Sequence, residues 1–221
     1  MTQHFLREIE NLKRKILLIG SMVEESIAKA IAAVLKRDIA LARQVIEGDD
    51  KIDLMEVEVE EDCLKILALH QPVAIDLRFV VAVLKINNDL ERMADHAANI
   101  ARRAEYLATY SDLSLPSDLE VMLKKTQTMV RESLDALVHE DTDLARNICS
   151  ADAEVDQLNR RMHVFIQDRI RAHPERVEQL IHMLSVSRQL ERIADLATNV
   201  AEDVVYTVQG EIIRHRPESY C

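Results

Sequence analysis

The chain is short of the residues that make turns. It has three glycines and four prolines among 221 residues, no tryptophan, and only 3% aromatic residues. Alternation of apolar and polar residues, the pattern of half-buried strands, is absent as well, which excludes a fold built from many short strands. Hydrophobic residues make up 48% and charged residues 30% of the chain. This composition is typical of long helices with ample apolar surface for a core.

Cysteines and long apolar runs are scarce too. Cys63, Cys149 and Cys221 are far apart and form no C-x-x-C pair, so we interpret them as incidental thiols of a reducing compartment. The start of the chain, MTQHFLREIENLKRK, has no signal-peptide core, and no apolar run approaches the roughly 18–20 residues that cross a bilayer. These absences predict a cytoplasmic protein that reaches the inner membrane, if at all, only peripherally and through partners.

Positive charge is also in deficit. The chain has 28 Lys and Arg residues against 39 Asp and Glu residues, a net charge of −11. An acidic surface repels phosphate backbones, so no nucleic-acid partner is expected. It attracts cations and basic patches on other proteins instead.

Apolar residues recur in steps of three and four over very long stretches, as they do from Leu12 to Val34. Six helices are predicted, at about 4–36, 38–70, 74–109, 117–139, 141–172 and 174–212. The segment 110–120, YSDLSLPSDLE, is the one stretch of Ser, Pro and Asp without an apolar period, and it marks a boundary. We therefore expect an all-α fold of two tandem antiparallel three-helix bundles, at 1–110 and 115–213, followed by a tail at 214–221.

Several residues mark the predicted helix ends. Asp38 and Asp141 are suited to cap the second and fifth helices. Ser117 and Glu120 have the spacing of a capping box, which predicts that the fourth helix begins at Ser117. Pro72 restricts the residue before it and so ends the second helix.

The two halves repeat each other. LERMADHAANIA (90–101) matches LERIADLATNVA (190–201) at eight of twelve positions, and DIALARQVIEGDDKID (38–53) matches DTDLARNICSADAEVD (141–156) at six of sixteen. The offsets are 100 and 103 residues. The duplication supports two bundles of the same design.

The positions shared by the repeats concentrate on side chains with oxygen atoms. The matched pairs are Glu91 with Glu191, Asp95 with Asp195, Asn99 with Asn199, Asp49 with Asp152, and Asp53 with Asp156. Residues four apart lie on one face of a helix, so each E-x-x-x-D-x-x-x-N forms a column of three such side chains and each D-x-x-x-D adds two more. If these faces meet, about four carboxylates and an amide converge in each half.

Acidic pairs are common on solvated helix faces, and Arg92, Arg192 or Arg188 could neutralise these carboxylates as ordinary ion pairs. Two matched sets flanked by small alanines favour metal binding over that interpretation, because clustered carboxylates need a counter-cation or must be protonated. All-oxygen ligands select hard cations such as magnesium, calcium, manganese or iron and disfavour zinc and copper. His96 lies beside Asp95, but its counterpart is Leu196, so a local surface or partly buried residue is expected there rather than a ligand.

An enzyme is not expected. A ferritin-like di-iron site requires Glu-x-x-His pairs, and the chain contains none. Gly-rich phosphate loops, G-x-S-x-G and Cys nucleophile motifs are absent as well.

The whole chain resembles the PhoU family of phosphate-specific transport accessory proteins. The resemblance rests on the duplicated bundle, on PVAIDLRFVVAVLKINNDLERMADHAANIA (72–101) and on SRQLERIADLATNVAED (187–203). It implies metal clusters of iron, manganese or magnesium on the acidic motifs. It also implies a negative regulator of phosphate uptake and of the phosphate-starvation response, which links the ATPase of a phosphate ABC transporter to a sensor histidine kinase and forms a homodimer. The second half has HPERVEQL (173–180) in place of the PVAIDLR block, which argues against a role that needs Asp76 and Arg78 in both halves.

A helical protein that stores iron or manganese remains the alternative from the residues alone. Tight, saturable binding at a few sites would favour regulation, and a large metal load per chain would favour storage.

Overall fold

The structure is a computed structural model that describes residues 3–110 and 115–212. The described residues form six long helices and no strand, which confirms the all-α prediction. The helices are α1 (Gln3–Lys36), α2 (Ile39–His70), α3 (Ala74–Leu107), α4 (Ser117–His139), α5 (Thr142–Ala172) and α6 (Val177–Gln209). The predicted tail at 214–221 and residues 111–114 of the predicted linker lie outside the described ranges.

The ends of α2 and α5 follow from their sequence. The carboxylate of Asp38 accepts hydrogen bonds from the backbone N–H groups of Ala40 and Leu41, at 2.9 and 3.1 Å. Asp141 caps α5 in the same way. Gln71 adopts the left-handed conformation with φ of 45° directly before Pro72, so α2 ends where the sequence predicted.

One predicted cap and two predicted helix ends need correction. The fourth helix begins at Ser117 as predicted, but the capping-box prediction is wrong, because Ser117 is already inside α4 and Pro116 occupies the cap position without a side-chain hydrogen bond. The segment predicted to open the sixth helix forms a short 3-10 helix, Pro174–Arg176, before α6 begins at Val177. Near the other end, Gly210 takes a φ of 74°, a conformation that glycine adopts readily, and α6 stops at Gln209 rather than near 212.

Each half of the chain is an antiparallel three-helix bundle. In the first half α1, α2 and α3 contact one another, and in the second half α4, α5 and α6 do the same. Buried apolar side chains from all six helices form one continuous core. The prediction of two tandem three-helix bundles is confirmed. No helix within the described ranges combines the length and apolar character needed to span a bilayer.

The two bundles are joined mainly through α3 and α6, which run antiparallel. At one end the Nζ of Lys85 lies 3.3 Å from the Oδ1 of the buried Asp203 and 5.3 Å from the ring centre of Tyr206. At the other end the hydroxyl of Tyr106 donates to Glu178 at 2.6 Å, and its ring stacks on His182.

A second contact between the bundles lies where α1 crosses α4. Gly20 is buried there, and a Cβ added to it would lie 2.8 Å from a terminal carbon of Leu134. Four helices are therefore neighbours in the order α2, α3, α6, α5. Helix α1 packs against α2 and α3, α4 packs against α5 and α6, and α1 and α4 contact each other. The matched acidic pairs of helices therefore flank the junction of the two bundles.

Candidate metal centres

The first carboxylate cluster lies between α2 and α3. Because these helices are antiparallel, Asp49 and Asp53 of α2 come opposite Glu91 and Asp95 of α3. Burial raises the pKa of Asp49 to about 6, and the negative charges of Asp53 and Asp95 add to that rise. The pKa of Glu91 is raised by burial and then by Asp95, Asp53, Glu56 and Asp49. The four predicted carboxylates of this half therefore act on one another as a group.

The second cluster lies between α5 and α6 and has the same design. Carboxylate oxygens of Asp152, Asp156 and Asp195 lie within 4.8 Å of one another. Burial raises the pKa of Asp152 to about 6, followed by the charges of Asp156 and Glu191. The pKa of Asp195 rises to about 6 from burial and then from Asp152, Glu191 and Asp156, against a lowering by Arg192. Here too the predicted columns meet.

One oxygen of the second cluster is left without a partner. The Oδ1 of Asp152 is buried, and no hydrogen-bond donor lies within reach of it among the described residues. A buried carboxylate oxygen without a donor is costly unless it is protonated or contacts a cation. Together with the all-oxygen donor set, this unpartnered atom fits a hard metal ion.

Nearby arginines neutralise the clusters only in part. Arg160 pairs with one oxygen of Asp156 at 3.0 Å. Arg92, by contrast, lies 3.6 Å from Asp89, and Arg188 donates to His163 at 3.5 Å. Two of the arginines proposed as ordinary partners of the columns are therefore directed at other side chains.

One of the two predicted asparagine ligands already has a hydrogen-bond partner. The Oδ1 of Asn99 accepts a hydrogen bond from Arg102 at 2.9 Å, so a metal would compete with that arginine for the oxygen. Asn199 holds the equivalent position in α6 and is half-buried. His96 is half-buried as expected, and burial lowers its pKa.

Glu56 is a group near the first cluster that the matching of identical residues missed. Its pKa is raised by burial and by the charges of Glu60 and Asp53, and its carboxylate accepts a hydrogen bond from Asn87 at 3.0 Å. The repeat places Asn159 and Ser187 at the equivalent positions, and these also hydrogen-bond, at 2.7 Å. The hydrogen bond recurs in both halves although the residue types differ. Only the repeat offsets, 103 residues between α2 and α5 and 100 between α3 and α6, could have revealed this equivalence from the sequence. The first cluster thus has an additional acid that the second lacks.

The fold and the sites together define the class of this protein. It is a duplicated six-helix protein with one partly buried carboxylate cluster in each half. A model of the PhoU domain matches the chain twice, at residues 16–104 and 119–204. The chain belongs to the PhoU family. This is a family of accessory and regulatory proteins rather than enzymes, as the sequence predicted.

Relatives match nearly the full length of the chain. A phosphate-specific transport system accessory protein PhoU homolog from Aquifex aeolicus is 38% identical over 210 residues, which cover 95% of each chain. The homolog from Pseudomonas aeruginosa is 36% identical over 97% of this chain and 89% of its own length.

Solved structures agree with this. The crystal structure of PhoU from Pseudomonas aeruginosa superposes with a TM-score of 0.89 at 36% identity, covering 94% of this chain and all of that one. The phosphate transport system regulatory protein PhoU from Streptococcus pneumoniae gives a TM-score of 0.83 at 29% identity, covering 94% and 98%.

Proposed function

We propose that this chain is a negative regulator of phosphate uptake and of the phosphate-starvation response, and that it acts by contact with other proteins. Its partners in this role are the ATPase of a phosphate ABC transporter and a sensor histidine kinase. By binding both, it couples the state of the transporter to the kinase and damps the response when phosphate is plentiful.

The observation that carries this proposal is the similarity over nearly the whole chain to proteins named as accessory or regulatory proteins of phosphate transport. The match covers both bundles, so the whole described fold is accounted for by this similarity and no separate domain suggests a different main function. A family without catalytic activity must produce its effect through binding. The net charge of −11 suits basic patches on partners, where charge aids encounter and specificity more than affinity.

In this proposal each carboxylate cluster holds hard metal ions, iron, manganese or magnesium. The bound cation supplies positive charge at a place where four carboxylates otherwise repel one another. The residues that hold it are the acidic pairs of α2 and α3 in the first half, and of α5 and α6 in the second. Metal therefore fastens the outer helix of each bundle to the helix that forms the junction.

The proposal places the protein in the cytoplasm as a homodimer. It reaches the inner membrane through the transporter and the kinase. In this proposal contact with the two partners holds the protein at the membrane, and no lipid contact of its own is needed.

Deletion in the native host tests this role. Phosphate-starvation genes are expected to be switched on in phosphate-rich medium, and the purified transporter ATPase or kinase should retain the protein in a pull-down. Elemental analysis of the cells runs in parallel. If these genes stay silent and only the iron or manganese content changes, the storage alternative replaces this proposal.

A further inference from the structure

Three potential metal ligands meet at one end of the first bundle. His4 and Glu8, one turn apart in α1, lie beside His70, the last residue of α2. Each offers one ligand atom, and the three atoms lie within 4.8 Å of one another. The Nδ1 of His4 is 3.4 Å from the Oε2 of Glu8, and the Nε2 of His70 hydrogen-bonds to that same oxygen.

This group is separate from the carboxylate clusters. His70 and Asp53 are seventeen residues apart in α2, which at 1.5 Å per residue is about 25 Å along the helix. The antiparallel pairing of α1 and α2 brings the first turn of one to the last turn of the other. The ring of His70 also packs 5.2 Å from that of the buried Phe5, which limits its orientation.

The chemistry of this donor set differs from that of the clusters. Two imidazole nitrogens and one carboxylate oxygen suit zinc and similar divalent transition ions, whereas hard cations prefer oxygen alone. Three protein ligands leave one position open for water or another ligand.

A surface cavity of about 100 Å³ lies beside Glu8, and Asn11, Asp62, Lys65 and Ile66 also line it. It leaves room for water next to one of the three ligands. Two lysines pair with the acid of this cavity, Lys15 at 2.7 Å and Lys65 at 3.7 Å from the oxygens of Asp62. Their charge is thus offset by Asp62, and Glu8 contacts the two histidines.

We infer that His4, Glu8 and His70 form a site for one Zn²⁺ or a similar divalent transition ion, which joins the start of α1 to the end of α2. The site is distinct in place and in ligand type from the carboxylate clusters, and it does not depend on the regulatory role. Without metal, the hydrogen bond between His70 and Glu8 still joins the two helices.

The test is a titration of tag-free, full-length protein with Zn²⁺ against a chromogenic chelator, in excess Mg²⁺ to occupy the carboxylate clusters. The parent, His70→Ala, Glu8→Gln and the control His139→Ala are compared. His139 is an exposed histidine of α4 whose Nδ1 contacts the carbonyl of Asp135. Thermal unfolding of the metal-free variants checks that each is folded. If His70→Ala does not fold, Glu8→Gln alone tests the site.

One equivalent of Zn²⁺ should bind to the parent and to His139→Ala with equal affinity. His70→Ala and Glu8→Gln should each weaken binding by at least tenfold, since loss of even an outer-shell partner costs about 10–100-fold. Co²⁺ in place of Zn²⁺ should give visible absorption bands that both site variants lose. Equal affinity in the parent and Glu8→Gln, or an equal loss in His139→Ala, would overturn the inference.

Discussion

At the residue scale, the clustered acids hold their protons more tightly than acids in water. Asp49, Asp152 and Asp195 each have a pKa raised to about 6, first by burial and then by neighbouring carboxylates. Their types and spacing were predictable from the repeat, because identical residues four apart share a helix face. Their degree of burial was not, since it depends on how closely the neighbouring helix approaches.

The raised pKa values set the pH dependence of the metal-free protein. Between about pH 4 and 6 the folded chain keeps protons on these acids that the unfolded chain has released. Stability should therefore fall as the pH rises through this window, with the full loss present above it. Urea unfolding of the metal-free protein at pH 5 and 7.5 measures the change.

Asp152→Asn isolates the contribution of the second cluster to this change. The variant should be about 1 kcal/mol more stable than the parent at pH 7.5, since solvent screening reduces the effect below that of the full shift. In a chain of this size the gain corresponds to roughly 2–4 °C in Tm. A variant that loses as much stability as the parent between the two pH values would contradict the predicted repulsion.

The proposed metal binding can be tested with one acid from each cluster. The double change Asp95→Ala and Asp195→Ala should remove most bound Mn²⁺ or iron, measured by elemental analysis after equilibration and gel filtration. Asp168→Ala is the control, because Asp168 is exposed and pairs with Arg171. Undiminished metal in the double variant would mean that the clusters are solvated surface only.

At the element scale, the helices were largely predictable because their ends depend on nearby residues. The caps at Asp38 and Asp141 and the break at Pro72 act within a turn of themselves. The error at Ser117 has a local cause as well, since Pro116 takes the cap position with a φ of −63°. A capping-box pattern does not exclude a proline directly before it, and a proline at the cap position has no side-chain oxygen to accept a hydrogen bond.

The helix glycines Gly20 and Gly48 provide a matched pair of substitutions. A Cβ on Gly48 of α2 meets nothing within 4 Å, whereas one on Gly20 meets Leu134 at 2.8 Å. Gly48→Ala should therefore stabilise the protein by about 0.5–1 kcal/mol through helix propensity. Gly20→Ala should gain less or lose stability, because Leu134 has to move. Thermal unfolding of both variants decides this, and an equal gain would show that α1 and α4 are not closely packed at Gly20.

At the scale of the whole molecule, sequence reasoning stops at the arrangement of the two bundles. Apolar stripes show which face of a helix is buried, but not which helix of the other bundle covers it, so the pairing of α3 with α6 was not predicted. The group at His4, Glu8 and His70 was missed for a related reason. His70 is 62 residues from Glu8, and a histidine four residues before a glutamate, as at His4 and Glu8, is not a distinctive metal-site pattern by itself.

The acidic surface should make partner binding sensitive to salt. Retention of the protein by the immobilised transporter ATPase should weaken steadily between about 0.1 and 1 M NaCl, over which the screening length falls from about 10 to 3 Å. Surface plasmon resonance at several salt concentrations measures this mainly as a slower association rate. An association rate that does not change with salt would rule out steering by the acidic helices.

The antiparallel pairing of α3 with α6 also has a bearing on ancestry. Tyr106 and Tyr206 are equivalent in the repeat, and each contacts the helix of the opposite half, at His182 and at Lys85. Two copies of one bundle related by a two-fold axis would meet in this reciprocal way. The chain thus has the organisation of a dimer whose subunits have become covalently linked. Once linked, the halves are free to diverge. The pairing of Glu56 in one half with Asn159 at the equivalent position of the other is a difference that two identical subunits could not have had.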